Sequence, residues 1–137
     1  MNGVPDLTER LQQAMPLCAT LDIRTVEFDA GQVVMSLAWA ERLTTGNGIL
    51  HGGAMMALAD SAGAALATLN LPAGSVGTST IESKTNFLGA VKEGEVIATA
   101  RPLHVGSTTI VVETEVRAGE RLVAKVTQTQ AVLRPRA

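Results

Sequence analysis

Apolar positions along the chain keep three different rhythms. From about Asp6 to Ala19, Leu7, Leu11, Met15 and Cys18 recur at helical spacing, with Glu9, Arg10, Gln12 and Gln13 between them. This predicts an amphipathic helix that Pro16 ends or kinks. In LDIRTVEFDAGQVVMSLAWA the period falls to two: Leu21, Ile23 and Thr25, then Val33, Met35, Leu37 and Trp39. Asp29-Ala30-Gly31 breaks the alternation, so the stretch reads as a hairpin. After the polar loop ERLTTGNGIL the pattern loses its polar positions altogether. From Ala54 to Leu69 nearly every residue is Ala, Met, Leu or Gly. A helix is predicted from His51 or Gly52 to near Asn70, with Pro72 and Gly74 beyond it.

The remainder is β-rich. GTSTIESKTNFLG, GEVIATARPLHVG, STTIVVETEVRAG and ERLVAKVTQTQAVL carry many β-branched residues and are punctuated by Gly89, Gly94, Gly106 and Gly119. Ala118-Gly119-Glu120 is a tight-turn candidate. Helix, hairpin, apolar helix and four strands predict one α+β domain over residues 1–137 with a mostly antiparallel sheet. A helix apolar on every face must be covered on every face. One curved sheet wrapped around it covers part, and a second copy of the chain is expected to cover the rest.

Composition narrows the chemistry. At 137 residues, 46% hydrophobic and 18% charged, the chain reads as a single globular unit. A net charge of -2 without a basic cluster argues against nucleic acid. The single Cys18 forms no internal disulfide, and no apolar run precedes the first helix as a signal peptide would. A reducing, cytoplasmic setting is expected. The Ala54–Leu69 run is too short for a membrane span and holds Asp60 at its middle.

That carboxylate is the main anomaly. A charge there must be paired, neutralised or used, and no Lys or Arg lies on its helix. It stands downstream of GILHGG, where Gly52 and Gly53 open the helix. Their amides are expected to be unpaired, at the positive end of the helix dipole, where a carbonyl oxygen could be received. His51 sits at the same start, where it can order the loop or touch a ligand. A metal site would need more ligands than His51, His104 and Cys18 supply, and no nucleotide-binding glycine loop is present. Each feature alone also fits plain packing. Together they fit a site in which a poorly solvated acid acts as base or nucleophile.

LHGG with an acid nine positions after the His resembles the hotdog-fold acyl-CoA thioesterases of the PaaI type. Thr80 to Leu88, TIESKTNFL, is similar to that family's strand T-x-(D/E)-x-x-x-N-(F/Y)-L. The likeness runs from about Cys18 to Leu133. It implies a hotdog fold, hydrolysis of an acyl-CoA thioester, and no cofactor beyond the CoA of the substrate. By position it makes Asp60 the catalytic carboxylate and Gly52 the oxyanion donor. Thr80 becomes a hydroxyl near the nucleophile or water, and His51 the residue ordering the helix start. Gly53, Thr45 and Asn47 would line the substrate, and Phe87, Leu88, Gly89, Ala90, Val91 and Lys92 would lie along the CoA arm. Thr45 stands where the family commonly has Asn or Gln. Gly89 and Ser107 stand where it often has a basic residue, so weak contact with the nucleotide end is expected. Lys84, Lys92, Arg101 and His104 are the remaining candidate cations. A homodimer with shared sites, able to pair again into a tetramer, is expected. The alternative reading is a non-catalytic hotdog protein that binds acyl-CoA or another hydrophobic ligand.

Overall fold

A computed structural model describes residues 6–136. Of the N-terminal helical segment expected over residues 1–19, residues 1–5 lie outside the described residues, as does Ala137. The segment forms two helices, α1 (Leu7–Ala14) and α2 (Pro16–Thr20). Asp6 caps α1 by accepting the Glu9 amide at 2.8 Å, and Pro16 breaks the run and starts α2. The hairpin follows as β1 (Arg24–Asp29) and β2 (Gln32–Ala38). Leu21, which alternation placed with the first strand, instead forms the C-cap of α2. Asp22 then turns the chain at a φ of 54°, so the strand starts only at Arg24.

The apolar helix α3 spans Gly52–Leu69, and β3 (Gly77–Phe87), β4 (Glu95–Val105), β5 (Thr109–Ala118) and β6 (Arg121–Leu133) complete one sheet. Its order is β1-β2-β4-β5-β6-β3, and every neighbouring pair is antiparallel. The sheet curls so that all six strands reach α3. This is the hotdog arrangement, α+β with the sheet wrapped around one helix. The inner face is built by alternation: Val96, Ala98 and Ala100 on β4, Ile110 and Val112 on β5, and Val126 on β6 are all buried. Met55, Leu58 and Leu66 meet them from α3, and each such side chain contributes about 1.5–3 kcal/mol by leaving water.

The wrap is incomplete. β1 and β3 are the two edges of the sheet, and a seam remains between them over α3. Gly53, Met56, Asp60 and Thr68 are exposed along it, and Ala57 and Ala64 half-buried. These positions recur every three or four residues, so they form a single stripe. The expectation of an all-apolar helix needing cover on every side thus narrows to one open face, and Asp60 stands in it. α3 is long and apolar enough to cross a membrane, but more than half of it is buried inside the protein.

Candidate active site

Asp60 lies midway along the seam. One of its oxygens, Oδ1, accepts a hydrogen bond from Gln128 Nε2 at 2.7 Å. Gln128 is fully buried on β6. Its Nε2 also lies 3.5 Å from Thr80 Oγ1, and Gln130 Nε2 donates to that same hydroxyl oxygen at 2.6 Å. Thr78 Oγ1 closes the chain at Gln130 Oε1, 3.0 Å away. Thr80 and Gln130 face each other across the β3–β6 ladder, which fixes the network on the rigid part of the sheet. Partial enclosure pushes the Asp60 carboxyl above the ordinary carboxylate value, and the Gln128 hydrogen bond pulls it partly back. The carboxylate side chain is open to the seam on one side, and Oδ2 has no protein donor among the described residues.

Gln128 fits because Gly63 makes room. A Cβ on Gly63 would stand 1.8 Å from Gln128 Oε1. A helical Gly to Ala change elsewhere would gain up to about 1 kcal/mol. Here it would drive the amide off Asp60. Gln128→Met removes the donor while nearly keeping volume. Its expected result is a further rise of the Asp60 pKa, since burial then acts unopposed. Gly63→Ala is expected to move it in the same direction. A carboxyl carbon NMR titration reads both, and an unchanged or lower value in Gln128→Met would show that the bond is not made in solution.

At the helix start His51 is the N-cap, and its Nδ1 accepts the Gly53 amide at 2.8 Å. The two glycine amides are therefore not equivalent. Gly53, expected to be unpaired, is taken by His51, whereas the Gly52 amide meets no acceptor among the described residues. His51 thereby orders the start of α3, with its own amide held by Leu43 O at 2.8 Å. The Phe87 ring lies against Gly52, where a Cβ would come within 3.0 Å of Cζ. A side chain at 52 would thus press on this half-exposed ring from β3, which would have to give by a few tenths of an ångström.

The segment after β3 is held to the same place. Leu50 donates its amide to Val91 O at 2.7 Å, and Leu88 donates to Val123 O at 2.8 Å. Val91 is a core side chain, while Leu88, Ala90 and Lys92 are exposed. Gly89 faces Arg121, which lies where a side chain at 89 would go: a Cβ there would be 3.2 Å from Arg121 Nη1. Arg121 Nη2 donates to Ala90 O at 3.1 Å. Of the cations named from sequence, Arg101 is committed elsewhere, to Gln32 Oε1 at 2.9 Å. Thr45 and Asn47 are exposed in the loop before the helix, with Asn47 at a φ of 63°. No cluster of three metal-ligating side chains occurs among the described residues.

The sequence singled out Asp60, Gly52, His51 and Thr80, and the structure brings Asp60 and Thr80 together through Gln128. Gln128, Gln130, Gly63 and Arg121, which the sequence did not single out, stand beside the candidate residues. The arrangement can hold one carboxylate oxygen still and leave the other beside an apolar seam. It also presents a free helix-terminal amide.

Residues 47–125 match the model of the thioesterase superfamily. The chain is 30% identical over 102 residues to 1,4-dihydroxy-2-naphthoyl-CoA hydrolase of Listeria monocytogenes, covering 74% of this chain and 82% of that one. Among solved structures it resembles the conserved protein PA5202 of Pseudomonas aeruginosa, with a TM-score of 0.82, 33% identity and coverage of 90% and 98%. It also resembles a mutant of thioesterase PA1618 from the same organism, with a TM-score of 0.85, 28% identity and 96% of each chain covered.

Proposed function

The chain belongs to the thioesterase superfamily, and from that premise we propose that it hydrolyses the thioester of an acyl-CoA, with Asp60 as its nucleophile or general base. The observation that carries this reading is the half-enclosed Asp60, held at one oxygen by a buried amide and free at the other. As base, the carboxylate takes a proton from water, and the oxygen of that water bonds to the thioester carbon. As nucleophile, it bonds to the carbon itself, and water later cleaves the anhydride. Either way the carbonyl oxygen gains charge in the transition state and the C–S bond breaks to release a thiolate, which takes its proton from the Asp60 carboxyl in the base route and from the water that cleaves the anhydride in the nucleophile route. A helix-terminal amide is suited to the oxyanion, and the free Gly52 amide is the one available.

Gly52 and Asp60 stand on the same helix, eight residues and about 12 Å apart at 1.5 Å per residue. An Asp side chain cannot span that distance to a carbonyl held at the helix start. The site therefore takes its Gly52 from a second copy. β3 supports this. It is an 11-residue edge strand with Ile81 65% exposed, the kind of edge that proteins cover or pair. Pairing across it or across the open stripe about a two-fold axis sets two α3 helices antiparallel. The product is a homodimer with two shared sites.

Thiol release from a panel of acyl-CoAs tests the reading. Saturable binding without release would leave a carrier in place of an enzyme. The CoA arm gives a sharper form. Arg121 lies at the segment where Gly89 lacks a cation, and a contact from it to the nucleotide end would oppose the expected weak nucleotide contact. Arg121→Gln is expected to lower kcat/KM for an acyl-CoA about tenfold, the ~1.4 kcal/mol of one charge-assisted contact. The same change should leave acyl-pantetheine hydrolysis as it was. Equal loss on both substrates would remove Arg121 from the CoA path.

A further inference from the structure

The seam widens at its C-terminal end into a cavity of about 310 Å³, walled by Leu11 of α1 and Met15 at its C-cap, Phe28 of β1, Ala64 and Thr68 of α3 and Thr78 of β3. Ala64 lies one helical turn beyond Asp60, about 6 Å along the axis. Thr78 is the last member of the hydrogen-bonded chain that starts at Asp60 and passes through Gln128, Thr80 and Gln130. The carboxylate and the cavity are thus joined along two elements, α3 and β3.

The chemistry of the wall is uniform. No ionisable side chain lines it. Its two hydroxyl protons are already committed. Thr68 Oγ1 donates to Ala64 O at 2.9 Å, and Thr78 Oγ1 is held between Ala131 O at 2.9 Å and Gln130 Oε1 at 3.0 Å. A carboxylate placed there would find no cation and no free donor, at the cost of burying a charge. A second cavity of about 320 Å³ flanks the helix start, but Arg42 and His51 stand in its wall, and it shares no residue with the Asp60 chain.

We propose that the acyl group of the substrate lies in the Leu11–Phe28–Ala64 cavity, and that it is a hydrocarbon: a medium-length aliphatic chain or a single aromatic ring, with no charged end. The assignment rests on the hydrolase reading for the reaction, but not for the binding. The volume is about twice the ~150 Å³ apolar cavity that accepts benzene, which leaves room for roughly six to ten carbons. α1 closes the outer wall. It has no fully buried residue and is tied to the hairpin by side-chain bonds, Thr8 with Thr25 and Gln12 with Ile23 O. Such an element can shift to admit a chain.

The test uses the intact protein and a non-hydrolysable octanoyl-CoA thioether, with the acetyl and succinyl analogues beside it, measured by calorimetry. The octanoyl analogue is expected to bind at least tenfold tighter than either of the others. Ala64→Phe fills the cavity and should abolish that preference. Thr68→Met does the same from the next turn and decides the matter if Ala64→Phe does not fold. Leu11→Ala should move the optimum to a longer chain. A chain-length profile that stays at the wild-type pattern in the folded filling variants would overturn the assignment, as would tight succinyl binding. Thiol release from octanoyl-CoA is followed separately. Its absence with the binding pattern intact would sink hydrolysis and leave the acyl site standing.

Discussion

Replacing Asp60 by asparagine is expected to lower kcat at least a hundredfold while the protein melts at the same temperature or higher. Asparagine is nearly isosteric, and its carbonyl oxygen can still accept the Gln128 bond, so the surroundings are kept. It can neither take a proton from water nor attack a carbonyl, which is the scale of losing a general base or nucleophile. The stability effect has a definite sign. Asp60 has its pKa raised in the fold by burial. Folding therefore disfavours the ionised form. The destabilisation is absent below the unfolded value, grows as pH rises toward the folded one, and is complete above it. The gain in Tm from Asp60→Asn should be present at pH 7 and gone below about pH 4. Melting curves at both pH values, with thiol release at pH 7, check the two halves separately. Near-normal hydrolysis by Asp60→Asn would end the proposed mechanism.

Mixing two dead variants is expected to restore activity. Asp60→Ala lacks the acid. Gly52→Val puts a branched side chain where a Cβ already comes within 3.0 Å of the Phe87 ring, and so blocks the approach to the free amide. Each should be inactive alone. If Gly52 of one protomer serves Asp60 of its partner, a hybrid dimer has one site with both defects and one with neither. With free exchange about half the dimers are hybrids, so about a quarter of all sites should recover, as two-fold symmetry requires. Native mass spectrometry confirms that hybrids form. Hybrids without activity would show that Asp60 works with a donor from its own chain, and the shared site would be wrong.

The sheet and helix were legible because their boundaries carry strong punctuation. Asp29-Ala30-Gly31, Gly94, Gly106 and Gly119 separate strands whose hydrophobic alternation is otherwise clear. Asp60 was legible for the opposite reason, as one acid in a run with no other ionisable residue. Gln128 and Gln130 were not. They occupy the same inward parity as Val126 and Val132, but in Thr127-Gln128-Thr129-Gln130 all four residues are polar. Alternation therefore has no contrast from which to choose a face. The Gln128–Asp60 bond also spans 68 positions and exists only once β6 lies over α3. Arg121 was hidden similarly: it reads as a turn residue until the β3–β6 ladder sets it against Gly89. The open stripe on α3 escaped because alanine suits a core and a seam equally well.

The sheet order bears on how the chain reaches this state. β2 pairs with β4, not with the strand that follows it, and Val33 lies opposite Ala100. α3 and β3 are both threaded between those partners in sequence. The hairpin and α3 leave the ribosome well before the strands that bury them. β6, the strand holding Gln128, ends 64 residues after α3 does, which at about 5–20 residues per second is a delay of several seconds. When that interval opens, the most apolar segment of the protein has only the hairpin and the N-terminal helices to lean on, and β3, β4 and β5 join them one by one before β6 arrives. Contacts of such wide sequence separation also slow folding itself. Asp60 is the one ionisable residue of that sixteen-residue run, the kind of charge that interrupts an aggregation-prone segment while it is still uncovered.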